Sequence, residues 1–496
     1  MLVRSELREV FCGRDGRRCG HRRFLGNAVL AGVLATCFFG LASSSPALAA
    51  APAGPGVLIA LAPPSVAAGE GTTRVVVSPD GKNVYATNRG FNTIFNTVSE
   101  YSRDSTTGAL HTLGSVNAGS SPEGIVVSPD GRYVYVANRY SDSVSEFERK
   151  PDGSLSEVSR ITTGREPIGL AISPDGADVY AANSAITSAS GTVSQFKRET
   201  NGTLTELTPV TAAGAAPHGI VVSPDGKYVY VANYNSENVS QYSRNAEGNL
   251  TALSPATVPA GFHPHDLAIS PDGSDVYVAE SNFNGRVWRF VRDRASGALT
   301  TPNVVGALDV TEGVVVSPDG NNVYATNEQS NSVSQYSRDT ATGALTKLSA
   351  PPIASGALPE GIAISPDGRN IYVANRGSST VSQYSVIKLG ITAHSKRASL
   401  RGGDLRMSLS PNATVRAIVF GYISTKGVHN RLWVLSRSLS LRGGHADAFI
   451  LKLSKSTLRL LQAYRHAHRS LTVRLTITLR DAVGHTSTTR LLIPLA

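Results

Sequence analysis

Two histidines and three glutamates stand at one fixed offset in this chain: Glu123, His218, His265, Glu312 and Glu360 each lie five residues ahead of a Ser-Pro-Asp-Gly tetrapeptide. An imidazole beside a carboxylate is the pairing of a general base with the group that orients it. His265 or His218 as base, with Glu312 or Glu280 as its partner, would let water attack an ester carbonyl. The same offset holds Thr73 and Ile168 in the remaining copies. A ring that served structure alone would repeat one residue type, whereas this one varies. The opposing reading is a hydrated channel lining in which the same side chains are only solvated.

A second offset, at the end of the apolar run after each tetrapeptide, gives Asn88, Asn138, Asn183, Asn233, Glu280, Asn327 and Asn375. Its uniformity points to side chains that bridge strands. Glu280 departs from it, in the repeat that also carries His263 and His265, and this marks that repeat as the foremost chemical site. His263, Glu123, Glu360, Asn233, Arg139 and Arg376 are the candidate ligand-binding residues around it. No nucleotide-binding loop, zinc-protease motif or nucleophile elbow competes with these groups. No cofactor and no metal are expected. Arg465-His-Ala-His-Arg469 has ligand-like histidine spacing, but its flanking arginines would repel a cation.

The elements that position these residues follow from the tetrapeptide itself. It begins at Ser78, Ser128, Ser173, Ser223, Ser270, Ser317 and Ser365, at gaps of 45 to 50 residues. Each copy separates two apolar runs, such as Gly124-Ile-Val-Val127 and Tyr133-Val-Tyr-Val-Ala137, so the unit reads strand, tight turn, strand. Proline sets φ at the first corner, Asp caps the backbone and Gly takes a positive φ. The serines are accordingly turn residues and not nucleophiles. A third strand follows, as in Val239-Ser-Gln-Tyr-Ser-Arg244, and a fourth opens on Gly-x-Leu at Gly108, Gly153, Gly202, Gly248, Gly297 and Gly343. The last repeat lacks that fourth strand, while Gly56-Val-Leu58 carries the same signature ahead of the first hairpin. The counts match if the chain closes into a ring whose N-terminal strand completes the final blade, which also hides the sheet edges. The fold class is all-β: a seven-bladed β-propeller over residues 50–386, with a C-terminal antiparallel β-sandwich module.

Charge divides the chain further. Residues 1–49 carry seven Lys/Arg and three acids, residues 50–386 carry 22 and 31, and residues 387–496 carry 18 and three, within a net charge of +10. The first segment has arginines leading into an apolar stretch from Phe24 to Leu41 and then Ala47-Leu-Ala49, the pattern of a cleaved secretion signal. All three cysteines, Cys12, Cys19 and Cys37, fall inside it. The mature protein would then have no disulfide or thiolate site, and no membrane span would remain after signal cleavage. Residues 387–402 form a basic linker, and residues 403–496 a basic β-sandwich domain in which Leu471-Thr-Val-Arg-Leu-Thr-Ile-Thr-Leu-Arg480 alternates strictly. Its other strand candidates are Thr414–Ile423, Leu432–Leu435, Phe449–Leu453 and Thr489–Leu495, with a helical turn at Leu458-x-x-Leu461-x-x-Tyr464 and turns at the Leu-Arg-Gly-Gly segments from Leu400 and Leu441. Such a domain suits an anionic cell-wall polymer, its alternative being a solvated basic surface. Nucleic acid is not expected as a partner.

Tyr135-Val-Ala-Asn138, Tyr230-Val-Ala-Asn233 and Tyr372-Val-Ala-Asn375 resemble the signature of YVTN-type propeller repeats. The longer unit from Pro217 to Asn233 resembles the seven-bladed lactonase family, which includes 6-phosphogluconolactonases and muconate lactonizing enzymes. The likeness spans residues 56–386. It implies a histidine-rich element before the first strand of a blade and an acid after the second, which Phe262-His-Pro-His-Asp266 with Glu280 matches in one blade. Other blades have Pro-Glu-Gly or Pro-Ile-Gly there, and no basic pocket for a sugar phosphate stands out. Two functions are therefore expected of the channel rim. One is an exported ligand-binding or scaffold propeller, secreted or held at the cell envelope, with a small-molecule or carbohydrate ligand. The other is a lactone hydrolase of the 6-phosphogluconolactonase type, with a lactone as substrate.

Overall fold

The computed structural model describes residues 56–90, 96–185, 190–300, 303–348 and 350–386 with their side chains, and the backbone of strands between Ile391 and Pro494. Seven antiparallel sheets follow one another from Leu58 to Val386. Blade 1 runs outward from the channel through Thr72–Val77, Asn83–Asn88, Thr97–Arg103 and Leu110–Asn117. The inner strands of blades 2 to 7 are Pro122–Val127, Pro167–Ile172, Pro217–Val222, Pro264–Ile269, Thr311–Val316 and Pro359–Ile364. Each packs against the inner strands of its two neighbours, blade 7 against blade 1 included.

The ring closes as the strand count requires. Leu58–Ala67 is the outer strand of blade 7, with Leu58 opposite Val386 and Ala60 opposite Tyr384. The second strands, Tyr133–Asn138 and Tyr228–Asn233 among them, are buried at every residue because sheets cover both their faces. Hence their unbroken apolar character. Outer strands keep one anchoring leucine and otherwise face solvent, as at Leu110 and Leu155.

Each tetrapeptide is a locked turn. In blade 2 the Ser128 hydroxyl donates to Asp130 and accepts from the Tyr133 amide at 2.9 Å, while Gly131 sits at φ 71°. The aspartate then reaches its neighbour. Asp80, Asp130, Asp175, Asp225, Asp272 and Asp367 each pair with an arginine from the next blade: Arg149, Arg198, Arg244, Arg292, Arg338 and Arg103. A second set of ties comes from the tyrosines. The hydroxyls of Tyr85, Tyr135, Tyr180, Tyr230, Tyr277, Tyr324 and Tyr372 donate to the carbonyls of Gly153, Gly202, Gly248, Gly297, Gly343, Gly56 and Gly108 at 2.5 to 2.7 Å. These are the glycines of the Gly-x-Leu strands, so every blade junction carries the same bond. A net contribution of about 1 kcal/mol each is ordinary for such bonds.

Beyond Val386 the backbone forms two further antiparallel sheets. One joins Asp404–Pro411 to Ile391–Ala393, Ser399–Arg401 and Asp447–Lys452. The other orders Leu432–Leu441, Val415–Thr425, Leu471–Arg480 and Thr486–Pro494. The strand expected to stop at Leu435 runs six residues further. The secretion signal with its cysteines, most of the basic linker, the Leu458 to Tyr464 turn, the Arg465 to Arg469 histidines and the glycines of both Leu-Arg-Gly-Gly segments lie outside the described residues, as do the side chains on which a sandwich core would rest.

Candidate functional site

Each inner strand enters the channel wall through an irregularity. Pairing with the second strand slips between its first residue and the third or fourth, for example between Pro264 and Asp266 and between Thr311 and Val314. The residues at the first sequence offset sit in these slips, where a bulge frees a side chain from the alternation of the sheet. In five blades the residue before the opening proline is left-handed: Ser121, Glu166, Ala216, His263 and Leu358 have φ between 50° and 55°. A following proline disfavours the right-handed helical region. In blade 5 this corner presents an imidazole, His263, at the mouth.

His265 and Glu312 are neighbours across the junction of blades 5 and 6. Nδ1 of His265 lies 2.9 Å from the Glu312 carbonyl oxygen, and Nε2 lies 2.9 Å from the Glu312 carboxylate. Neither acceptor carries a proton to give, so both imidazole nitrogens donate and the ring is an imidazolium. Burial alone would lower its pKa, but Glu312 outweighs burial and lifts it to about 8. For Glu312, burial would raise the pKa, yet His265, the Ser281 hydroxyl that donates to it at 2.8 Å, and Arg74 bring it to about 2. The expected base and orienting partner are therefore a buried ion pair, and His265 has no lone pair to take a proton.

His218 is different. Its two ring nitrogens are buried without hydrogen-bond partners. Its pKa falls well below the ordinary histidine value, through burial first and the adjacent His265 cation second. It is stacked on Tyr234 at 4.8 Å and meets His265 edge-on at 4.8 Å. Tyr234 in turn lies flat on His263, with ring centres 4.2 Å apart and planes 2° from parallel. Four rings thus form a column from His265, at the channel wall, to His263 at the mouth. The Tyr234 hydroxyl also hydrogen-bonds Ser281, while burial pushes its pKa up.

Two expected site residues belong to the scaffold instead. Asn233 accepts the Gly214 amide and donates to Asn238 and Ser240. Glu280 fills the equivalent place in blade 5, accepting from the Trp288 indole at 2.5 Å and the Phe262 amide at 3.3 Å. Trp288 stands where Ser240 stands in blade 4, so a long acceptor and a large donor replace a short pair. Glu280 departs from asparagine to match Trp288, and its hydrogen bonds do not reach His265.

The remaining candidates are ion-paired. Arg139 holds Glu166 at 3.1 Å, Arg89 holds Glu123 at 2.9 Å, and Arg376 lies between Glu328 and Glu360, with Glu360 at 3.2 Å. Burial, then the neighbouring Glu123 charge, lifts the Glu360 pKa to about 7. One residue beyond the offset positions the inner strands carry Gly124, Gly169, Gly219, Gly313 and Gly361, and a Cβ on Gly169 would come within 2.0 Å of the His218 carbonyl. Blades 1 and 5 have Arg74 and Asp266 there instead, paired across the channel at 3.6 Å.

A cavity of about 470 Å³ opens at the rim opposite the tetrapeptide turns, and His263, Tyr234, Ser281, Glu312, Glu328 and Arg376 line it together with Phe262 and Phe283. His263, Glu312 and Arg376 of the expected residues reach this cavity. His265 and His218 do not line it. Tyr234, Ser281 and Glu328 escape the sequence offsets, though one rule finds them: they directly follow the second strands of blades 4, 5 and 6, as Arg89, Arg139 and Arg376 do elsewhere. No cluster of His, Cys, Asp or Glu able to hold a metal ion occurs among the described residues.

Comparison with known proteins agrees with the fold. A periplasmic gluconolactonase of Pseudomonas aeruginosa shares the fold at 20% identity, over 72% of this chain and 95% of that one, with a TM-score of 0.51. A Bacteroides uniformis protein carrying the provisional name 6-phosphogluconolactonase matches at 23% identity, over 57% and 85%, with a TM-score of 0.52. Hydrazine synthase of Kuenenia stuttgartiensis does so at 21%, over 64% and 96%, also with 0.52, so likeness at this level speaks for the fold and not the chemistry. No curated protein matches the chain. The family of lactonases with a seven-bladed β-propeller matches residues 57–160 and 150–404, and the chain belongs to it.

Proposed function

We propose that the rim cavity binds a cyclic ester and opens it by hydrolysis. The observation that carries this is the meeting, in one cavity, of the His263 imidazole, which has no hydrogen-bond partner among the described residues, the Arg376 guanidinium and the Glu312 network. In the proposed reaction His263 accepts a proton from water, whose oxygen attacks the ring carbonyl carbon. Arg376, which stays paired with Glu328 and Glu360, faces the negative charge that develops on the carbonyl oxygen through its field and not through a free donor. The ring C–O bond then breaks, the departing oxygen takes the proton back from His263, and a hydroxy acid leaves. The Glu312–His265 ion pair and Ser281 hold the cavity floor. Membership of a lactonase family supports both the reaction class and a cyclic ester as substrate.

The test is turnover of a panel of aliphatic and sugar lactones by the protein and by His263→Ala. A positioned proton acceptor is worth about 10²- to 10⁴-fold in rate. Hydrolysis that persists at the original rate in the variant removes His263 from the mechanism. A second reading, ligand binding without turnover, draws on the internal saturation of His265 and Glu312 by each other; binding of lactones that are never opened would establish it. Export to the cell envelope belongs to this proposal through the N-terminal arginine, apolar and small-residue pattern. N-terminal sequencing of protein recovered outside the cytoplasm should then find a start near Ala50.

A further inference from the structure

We propose that the rim cavity selects an uncharged ring-shaped ligand with an apolar or aromatic face and turns away phosphorylated sugars. This rests on the cavity being a binding site, and not on turnover there.

Phosphate recognition needs cationic donors that are free to turn to the ligand. Among the described residues lining the cavity, Arg376 is the one cation; it is hydrogen-bonded to Glu328 and ion-paired with Glu360, and its Nε is buried. The neighbouring channel and rim arginines are equally engaged, Arg139 by Glu166, Arg89 by Glu123 and Arg74 by Asp266. Glu312 and Glu328 add their own negative charge to the lining. A phosphate dianion would enter against like charge and find no open donor fork.

The apolar side of the same cavity is built for contact. Phe283 is 74% exposed and Phe262 is 55% exposed, and both line it. Two large aromatic side chains left in solvent on the walls of one cavity make a patch, which scattered apolar residues do not. Beside them the His263 ring, stacked on Tyr234, ends the column of rings at the cavity. Ring faces of this kind take up the apolar face of a cyclic ligand by offset stacking.

Three lactams that cannot be hydrolysed test this by calorimetric titration of the full chain: δ-gluconolactam, its phosphate ester, and a phenyl-substituted δ-lactam. The phenyl compound should bind about tenfold or more tighter than the phosphate ester, the equivalent of about 1.4 kcal/mol. Phe283→Ala, on an exposed side chain that the fold does not need, should remove most of that preference. Glu328→Gln should tighten the phosphate ester by releasing Arg376. Equal or tighter binding of the phosphate ester to the unaltered protein overturns the proposal, as does failure of all three to bind. If selectivity holds and no lactone is ever hydrolysed, only the hydrolase reading falls.

Discussion

The hydroxyl of Tyr324 in blade 6 donates to the carbonyl of Gly56 at 2.7 Å, across 268 positions of sequence. Elsewhere in the ring the equivalent tie joins residues 66 to 68 apart, or 264 apart for Tyr372 and Gly108. The seam is thus bonded like every other junction.

Tyr324→Phe should cost about 1 to 3 kcal/mol, because it strands a buried carbonyl. Tyr180→Phe, which breaks the same bond to Gly248 in the middle of the ring, should cost as much. Chemical denaturation of both variants checks this. A seam variant that loses far less than the interior one would show that the N-terminal strand is only loosely held.

The His265–Glu312 pair sets a pH window for stability. His265 is raised from 6.5 to about 8, so its contribution is complete below pH 6.5 and is lost as pH rises through 8. Glu312 is lowered from 4.5 to about 2, so its contribution is complete above pH 4.5 and is lost as pH falls through 2. The pair's own contribution should therefore be constant between about pH 4.5 and 6.5 and decline by about 2 kcal/mol toward pH 9, read as the difference in thermal melts between the protein and Glu312→Gln, because Glu146 adds its own slope between about pH 4.5 and 7. Glu312→Gln should abolish the alkaline decline and cost about 3 to 5 kcal/mol in the constant range, since it leaves a buried cation unpaired. An unchanged pH profile in that variant would refute the ion pair.

Glu146 is a misfit whose repair should stabilise the protein. It occupies the place of Gln195, Gln241, Gln335 and Gln383, whose amides donate to Pro209, Pro255, Pro351 and Pro63. A carboxylate cannot donate, its Oε2 is buried without a partner, and burial lifts its pKa to about 7. Because the folded-state pKa exceeds the unfolded one, stability falls as pH rises from about 4.5 to 7 and stays reduced above. Glu146→Gln should gain about 1 to 3 kcal/mol at pH 8 and little at pH 4, as thermal melts at the two pH values would show.

Glu280 and Trp288 should behave as one unit. Glu280→Asn or Trp288→Ser alone breaks their bond, whereas the double variant rebuilds the pair found in blade 4. A double-mutant cycle should give a coupling of about 0.5 to 3 kcal/mol, with the rim chemistry retained in the double variant. Additive losses would return Glu280 to the list of candidate active groups.

The architecture was legible because its cause is periodic: turn chemistry at Ser-Pro-Asp-Gly and the detached Gly56 to Leu58 segment together imply both the number of blades and the way they close. The offsets also found the channel wall, since every blade bulges at the same place. They could not tell which of those side chains reaches solvent. His265 pairs with Glu312 as its spacing suggests, but the carbonyl that takes its second nitrogen is invisible in a string of residue types. Glu280 misleads for a related reason: its departure from asparagine answers to Trp288, eight residues on, and not to a ligand. Tyr234, Ser281 and Glu328 stand one residue beyond the second offset, but their types vary from blade to blade, so without the fold that position does not announce itself as cavity lining.

The Arg74–Asp266 ion pair joins blade 1 to blade 5 across the propeller's axis, beside a cavity of about 130 Å³ lined by Gly124, Gly169, Gly219 and Gly361. Two blades that are not neighbours in the ring are thus strapped together through its middle. A change of charge at that one contact would be felt on both sides of the circle at once.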